Sequence, residues 1–133
     1  MRNTLSIAAL ALAAAGCTAH EPPEAAMERD AALTAELSGY ERTGPAVACV
    51  NSRDLRGNRS VGDAIVFEGQ GGRLWVNRPP MGCPDLRNDA LSVQTSGSRL
   101  CRGDIATVVD FTSGITRGGC GLGAFEPYRR RKS

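Results

Sequence analysis

Four cysteines in the later part of the sequence are the residues best suited to chemistry, and their spacing limits what that chemistry is. They are separated by 34, 18 and 19 residues and lie at Cys49, Cys83, Cys101 and Cys120. A thioredoxin-like redox pair needs two cysteines with two residues between them, and structural zinc sites use close ligand pairs. Neither pattern occurs, and the single histidine, His20, lies upstream. The spacing favours two disulfides over redox catalysis or metal binding.

Three carboxylates close to these cysteines are the candidates for catalysis. Asp85, Asp104 and Glu126 each follow one of the cysteines within six residues. If Cys83 paired with Cys101, Asp85 and Asp104 would come close together, and paired carboxylates perform general acid–base catalysis. Carboxylates in such positions more often cap turns or pair with neighbouring arginines. We therefore expect no catalytic residue. The alternative is a small-ligand-binding or hydrolytic module that uses Asp85 and Asp104.

The first sixteen residues have the features of an export signal that ends at a lipidated cysteine. Arg2 supplies a positive charge, and residues 5–15 form an apolar run too short to span a bilayer. The segment AAGC, residues 14–17, resembles a bacterial lipobox, in which the cysteine thiol is linked to diacylglycerol and becomes the first residue after cleavage. We therefore predict a signal peptide in residues 1–16 and a lipid anchor on Cys17. Ordinary secretory cleavage is the alternative.

The residues after this cysteine predict a tether and a location. Thr18 is not an aspartate, so nothing resembles the inner-membrane retention signal, and the lipobox resemblance implies the periplasmic leaflet of an outer membrane. Residues 17–44 would form the lipid-anchored tether, short-helical or disordered. The sequence predicts an extended chain at Pro22-Pro23 and a marginal helix over the Ala- and Glu-rich stretch from Glu24 to Leu37, ending before Gly39. The apolar stripe of that stretch is narrow, which favours a tether over a partner-binding helix.

The rest of the chain predicts a small β structure. Glycine is abundant and aromatic residues make up only 5% of the sequence, which favours short strands and turns over long helices. Residues 61–68 and 73–77 flank a Gly-rich segment, the pattern of a β-hairpin, and residues 104–111 alternate between two faces. We therefore predict a mainly all-β domain in residues 45–128, with about five to seven strands in an antiparallel sheet or partly closed barrel and two disulfides.

Four cysteines allow three disulfide connectivities, and the sequence alone does not choose among them. If residues 46–55, 61–68 and 73–77 form a meander, Cys49 and Cys83 lie beyond opposite ends of it, which disfavours a bond between them. Of the two remaining connectivities, we expect Cys83–Cys101 together with Cys49–Cys120.

A basic run near the C-terminus is the most concentrated charge in the chain. Residues 129–132 are Arg-Arg-Arg-Lys, and without them and Arg2 the 16 basic residues fall to 11, against 14 acidic residues. This balance does not fit a nucleic-acid-binding protein. The tail, residues 129–133, either contacts anionic lipid head groups or lipopolysaccharide phosphates, or is a solvated disordered end. Trp75, the single tryptophan, is expected in the core rather than as an exposed ligand platform.

Several short motifs occur in an order that matches a known family. They are ACVNSRDLR, IVFEGQGGRLWVNRPPMGCPDL, RLCRGD and CGLGAFEP. Behind an exported, cysteine-anchored arm, this order over residues 40–128 resembles a family of small uncharacterised proteobacterial lipoproteins, defined only as a domain of unknown function. The resemblance implies an envelope location and a disulfide framework, and it carries over no activity.

Together these observations predict a cell-envelope lipoprotein with a non-enzymatic binding or structural role at the periplasmic membrane surface. Its expected partners are the membrane, through lipid on Cys17, and an envelope protein whose identity the sequence does not give. We expect no nucleic acid, metal or cofactor as a partner.

Overall fold

The computed structural model describes residues 23–83, 90–95, 97–110 and 112–133. These residues form one α-helix, ten β-strands and two single-turn 3₁₀ helices. In chain order the helix and strands are α1 (Pro23–Glu36), β1 (Tyr40–Arg42), β2 (Cys49–Asn51), β3 (Leu55–Val61), β4 (Ala64–Gly69), β5 (Arg73–Asn77), β6 (Ala90–Val93), β7 (Arg99–Cys101), β8 (Ile105–Val109), β9 (Thr116–Gly121) and β10 (Phe125–Arg130).

The strands form three antiparallel sheets. One sheet has five strands in the order β1-β10-β5-β4-β3, the second pairs β2 with β7, and the third has the order β6-β8-β9. The predicted, mainly all-β antiparallel fold with two disulfides is therefore confirmed. The strands of the described residues do not close into a barrel, and they exceed the predicted number because several have only three residues.

The hairpin β3–β4 was not predicted. Val61 pairs with Ala64, so Gly62 and Asp63 form a two-residue turn, and Gly62 has the positive φ, 59°, that such turns require. The predicted strand 61–68 therefore runs through a turn. The sequence hides β3 because it is an edge strand whose side chains are at most partly buried, so its residues do not alternate clearly between apolar and polar.

Helix α1 packs on one face of the five-stranded sheet. Its Leu33 is 5% exposed and belongs to a core cluster with Ala64, Val66, Leu74 and Val76. The backbone of Arg29 lies so close to Gly62 that a Cβ there would approach the Arg29 carbonyl oxygen to 2.6 Å. Arg29 Nε also lies 2.6 Å from Asp63 Oδ2. The narrow apolar stripe is thus enough to seat the helix, which is part of the fold rather than a free segment.

The second core cluster lies on the opposite face of the five-stranded sheet, between it and the two smaller sheets. The rings of Phe67 and Phe125 have centroids 5.6 Å apart, and both side chains are at most 2% exposed. The other buried members are Val50, Ile65, Leu91, Leu100, Ala106, Val108, Cys120 and Leu122. Because these residues come from all three sheets, this cluster holds the sheets together.

A buried amide fixes the connection between β9 and β10. Asn77 is fully buried, and its side-chain amide donates to the Gly123 carbonyl and accepts from the Gly123 N–H, both at 2.8 Å. The pair satisfies polar groups that would otherwise be buried without partners. Position 123 must be glycine here, because a Cβ would overlap the carbonyl oxygen of Arg78.

The disulfides connect Cys49 with Cys101 and Cys83 with Cys120, with Cα separations of 4.0 and 4.9 Å. The expected connectivity, Cys83–Cys101 with Cys49–Cys120, was therefore wrong. Cys49 does not bond to Cys83, as expected, but the meander from which this was argued does not form. Strand β2 does not join the sheet of β4 and β5. It pairs with β7 in a separate sheet, in a register that places Cys49 directly opposite Cys101.

The five-stranded sheet extends beyond residues 45–128 at both ends. Strand β1 was placed in the tether by the sequence, yet it pairs with β10, and β10 continues to Arg130. Arg129 and Arg130 are therefore strand residues, and the alternative of a disordered basic end does not apply to them. The predicted signal peptide and Cys17 lie outside the described residues. Within the described part of the chain, the single helix is too short and too polar to cross a membrane.

Candidate binding site

Asp104 has a structural role. Its Oδ2 accepts a hydrogen bond of 2.8 Å from the Cys101 N–H, and its own N–H donates to the Cys101 carbonyl at 3.1 Å. Gly103 between them has a φ of 92°, which favours glycine. The carboxylate therefore caps the turn that joins β7 to β8, as such groups commonly do.

Glu126 also has structural partners. Its carboxylate oxygens lie 3.6 Å from Arg42 Nη1 and 3.7 Å from Arg78 Nε. Asp85 lies outside the described residues. Among those that are described, no cluster of three or more His, Cys, Asp or Glu side chains could hold a metal ion. Asp104 and Glu126 are thus engaged in structural contacts, whereas the Asp85–Asp104 pair of the hydrolytic alternative lies partly outside the described residues.

A groove of about 800 Å³ opens where β1, β5 and β10 meet at one end of the five-stranded sheet. Its lining is basic and aromatic, with Arg73, Trp75, Pro127, Arg129 and Lys132 among its residues. The predicted tail thus contributes to a folded surface rather than extending from the domain.

The strand register determines which of these side chains share a face. In the β5–β10 pair, Pro127 lies opposite Trp75 and Arg129 lies opposite Arg73. Because side chains alternate along a strand and opposed residues point to the same side, all four lie on the face away from helix α1. They form two adjacent rows: Trp75 with Pro127, and Arg73 with Arg129.

The position of Trp75 depends on a glycine in the neighbouring strand. A Cβ on Gly69 would overlap the six-membered ring of the indole, so only glycine lets the ring lie this close to β4. Trp75 is partly buried and packs against the core cluster, as expected, and it also lines the groove. The indole is therefore both a core side chain and a wall of the groove.

The two arginines of the groove lie directly opposite each other on β5 and β10. Both are exposed, and neither forms an ion pair within 4.0 Å with a carboxylate of the described residues. Like charges placed directly opposite each other on neighbouring strands destabilise a sheet by up to about 1 kcal/mol. Glu41 on β1 also lies directly opposite Arg129 and lines the groove, and an opposite charge in that position offsets part of this repulsion. The concentration of arginine side chains on one face is the main electrostatic feature of the groove.

Arg130, the next residue of β10, has a structural role. Its side chain lies on the opposite face, 5.3 Å above the ring centroid of Tyr40, and its Nη2 donates to the Tyr40 hydroxyl at 3.0 Å. Sequence reasoning identified the tail but missed Arg73. In the predicted strand RLWVN, Arg73 and Trp75 are two residues apart and so share a face, which was the one sequence signal for this site. The sequence does not show that Arg129 lies beside them, because that depends on the β5–β10 register.

Comparison with known proteins identifies no relative. No family model matches the chain, and no significant match was found among curated proteins or solved structures. The resemblance to uncharacterised lipoproteins stays a prediction, and the function must be argued from the site.

Asp110 is a carboxylate that the sequence analysis did not select. Its Oδ1 accepts from the N–H groups of Thr112 and Ser113 at 2.8 and 3.0 Å, and its Oδ2 lies 2.5 Å from Arg117 Nη2. The hydrogen bond from Arg117, followed by those from the two backbone groups, lowers the pKa of Asp110 from 3.8 to about 2. Asp110 thereby holds the turn between β8 and β9.

The titration of Asp110 is expected to show the lowered pKa. Because the pKa is lower in the folded state, the charged carboxylate stabilises the fold fully above pH 3.8 and loses that contribution as the pH falls through about 2. A carboxyl-carbon NMR titration should give a midpoint near 2 that rises toward 3.8 in Arg117→Gln. It should not move in the control Arg99→Gln. A midpoint near 3.8 in the unsubstituted protein would contradict the turn geometry.

Proposed function

We propose that the chain is a non-enzymatic cell-envelope lipoprotein, held at the periplasmic membrane surface by lipid on Cys17. Its β domain binds an anionic partner through the groove around Arg73, Trp75 and Arg129. The observation that carries the binding role is the direct opposition of Arg73 and Arg129 beside the indole. The lipid anchor is supported by the resemblance of residues 14–17 to a lipobox.

The chemistry of the groove favours recognition over catalysis. An arginine guanidinium stays protonated at physiological pH and offers five N–H donors in a fixed planar arrangement, so it binds anions but does not exchange protons. The carboxylates considered for acid–base catalysis, Asp104 and Glu126, are already engaged in a turn and in ion pairs. A role in anion binding therefore needs only groups that the described residues contain.

Metabolic labelling with an alkyne-tagged fatty acid tests the anchor. We expect the wild-type protein to become labelled and Cys17→Ser to remain unlabelled, because the thioether and the acylated amine both belong to that residue. Thr18→Ser is the matched control, since it changes the neighbouring side chain only slightly and should be labelled like the wild type. An unlabelled wild-type protein, or labelling that persists in Cys17→Ser, would contradict the proposal.

A further inference from the structure

We propose that Arg73 and Arg129 form a clamp for one phosphate group, and that Trp75 and Pro127 form a platform for the organic moiety that carries it. The inference rests on the proposed role of the groove as a binding surface and names its ligand chemistry. The clamp itself does not depend on the lipidation of Cys17, whereas the choice of a soluble ligand over a lipid head group does.

The clamp follows from the register. Side chains directly opposed on antiparallel strands have Cβ atoms about 4.5–5.5 Å apart, so two guanidinium groups that start at Arg73 and Arg129 can reach one anion from two sides. Each guanidinium presents a planar pair of N–H donors that matches two oxygens of a phosphate. A phosphate has enough oxygens to accept hydrogen bonds from both arginines, whereas the two oxygens of a carboxylate match a single guanidinium group. A bound dianion would also relieve the repulsion between the two side chains.

The platform lies next to the clamp on the same face. Trp75 and Pro127 are each two residues along the strand from an arginine, which places the two rows about 7 Å apart. The indole is held in place against Gly69 and needs no reordering to receive a ligand. The ligand class that fits is a small organic phosphate ester, with its phosphate at the arginines and its carbon skeleton against the indole.

The position of the groove favours a ligand from solution over a head group of the anchoring membrane. Helix α1 contacts the β3–β4 turn through Arg29, whereas the groove lies beside the β4–β5 turn. The six residues of β4 separate these ends by about 20 Å. Pro23, where the helix begins, is only six positions after Cys17, a span of at most about 20 Å. Cys17 is therefore connected to the domain through the N-terminus of helix α1, on the side of the β3–β4 turn and away from the groove.

Fluorescence of Trp75 tests the clamp directly, because this is the single tryptophan in the chain and it lies in the site. The full protein in phosphatidylcholine vesicles is titrated with glycerol phosphate, and with sodium chloride at matched ionic strength. We expect a saturable change with glycerol phosphate only. Arg73→Gln and Arg129→Gln should each weaken binding about tenfold, the effect of losing one charge-assisted contact. Arg99→Gln, an exposed arginine outside the groove lining, is the matched control and should bind normally.

Thermal unfolding shows whether a variant has lost the fold rather than the site. Without phosphate, Arg73→Gln should unfold no earlier than the wild type, since it removes a like-charge pair. Glycerol phosphate should raise the Tm of the wild type and of Arg99→Gln more than that of Arg73→Gln or Arg129→Gln. The clamp would be overturned if sodium chloride changed the Trp75 fluorescence as much as glycerol phosphate does. It would also be overturned if the folded double variant Arg73→Gln/Arg129→Gln bound glycerol phosphate as the wild type does. Failure of the clamp leaves fatty-acid labelling of Cys17 intact, so it is distinguishable from failure of the anchor.

A second arm of the experiment tests the source of the phosphate. Phosphatidylglycerol added to the same vesicles should leave the Trp75 fluorescence unchanged, because the groove lies away from the β3–β4 turn, where helix α1 meets the sheet. If the lipid saturates the signal and glycerol phosphate then has no effect, the ligand is a membrane head group. That result would overturn the assignment to a soluble ester.

Discussion

Replacing Cys83 and Cys120 together with alanine is expected to lower the free energy of unfolding by about 4 kcal/mol. Their disulfide closes a loop with a sequence separation of 37 residues and ties the segment after β5 to β9. Without it the unfolded chain gains conformational freedom, while the native contacts of β9 lose a covalent restraint. Urea denaturation followed by circular dichroism measures the difference, with the wild type compared before and after reduction.

The same variant tests the connectivity. Because Cys49 and Cys101 are bonded to each other, the Cys83→Ala/Cys120→Ala protein should contain no thiol in the domain that reacts with iodoacetamide before denaturation and reduction. Under the connectivity expected from the sequence, both Cys49 and Cys101 would lose their partners and react. Two reactive thiols would therefore contradict the structure, and a loss of stability well below 2 kcal/mol would contradict the entropic argument.

Phe125→Ala is expected to cost about 3–5 kcal/mol of unfolding free energy. The side chain is fully buried beside Phe67, in the cluster to which all three sheets contribute. Its backbone also exchanges two hydrogen bonds of 2.8 Å with Val47, which fixes the chain before β2 against the start of β10. Truncation would leave a cavity at the junction of the sheets, since the surrounding backbone is held by these pairings.

A matched truncation at the surface controls for the loss of apolar area alone. Ile115 is 64% exposed, so Ile115→Ala should change the free energy of unfolding by no more than about 0.5 kcal/mol. Chemical denaturation of both variants gives the comparison. If Phe125→Ala cost no more than Ile115→Ala, the ring would not lie in the core and the arrangement of the sheets would be wrong.

Local sequence patterns predicted the elements that depend on neighbours in the chain. The hairpin β4–β5 follows from two apolar strands around the Gly-rich turn, and the 14-residue helix α1 follows from an Ala- and Glu-rich segment that ends before Gly39. The edge strand β3 gave no such signal. Its position depends on hydrogen bonds to β4 rather than on a buried apolar face of its own.

The features that the sequence did not predict depend on pairings between distant segments. Cys49 meets Cys101 only because β2 pairs with β7, and these residues are 52 positions apart. Arg73 meets Arg129 only through the β5–β10 register. Nothing in the composition of either segment indicates which distant strand it joins. The carboxylates Asp85 and Asp104 were considered on the assumption of a Cys83–Cys101 bond, which the structure does not contain.

The intact mass of the protein from native membranes tests the lipid anchor on Cys17 and the two disulfides of the domain together. One sample is alkylated without reduction, and a second sample is reduced first and then alkylated. We expect a chain that begins at Cys17 with a diacylglyceryl and acyl mass, no alkylation before reduction, and four alkylated thiols afterwards. An unlipidated chain that begins beyond Cys17, or thiols alkylated before reduction, would contradict this expectation.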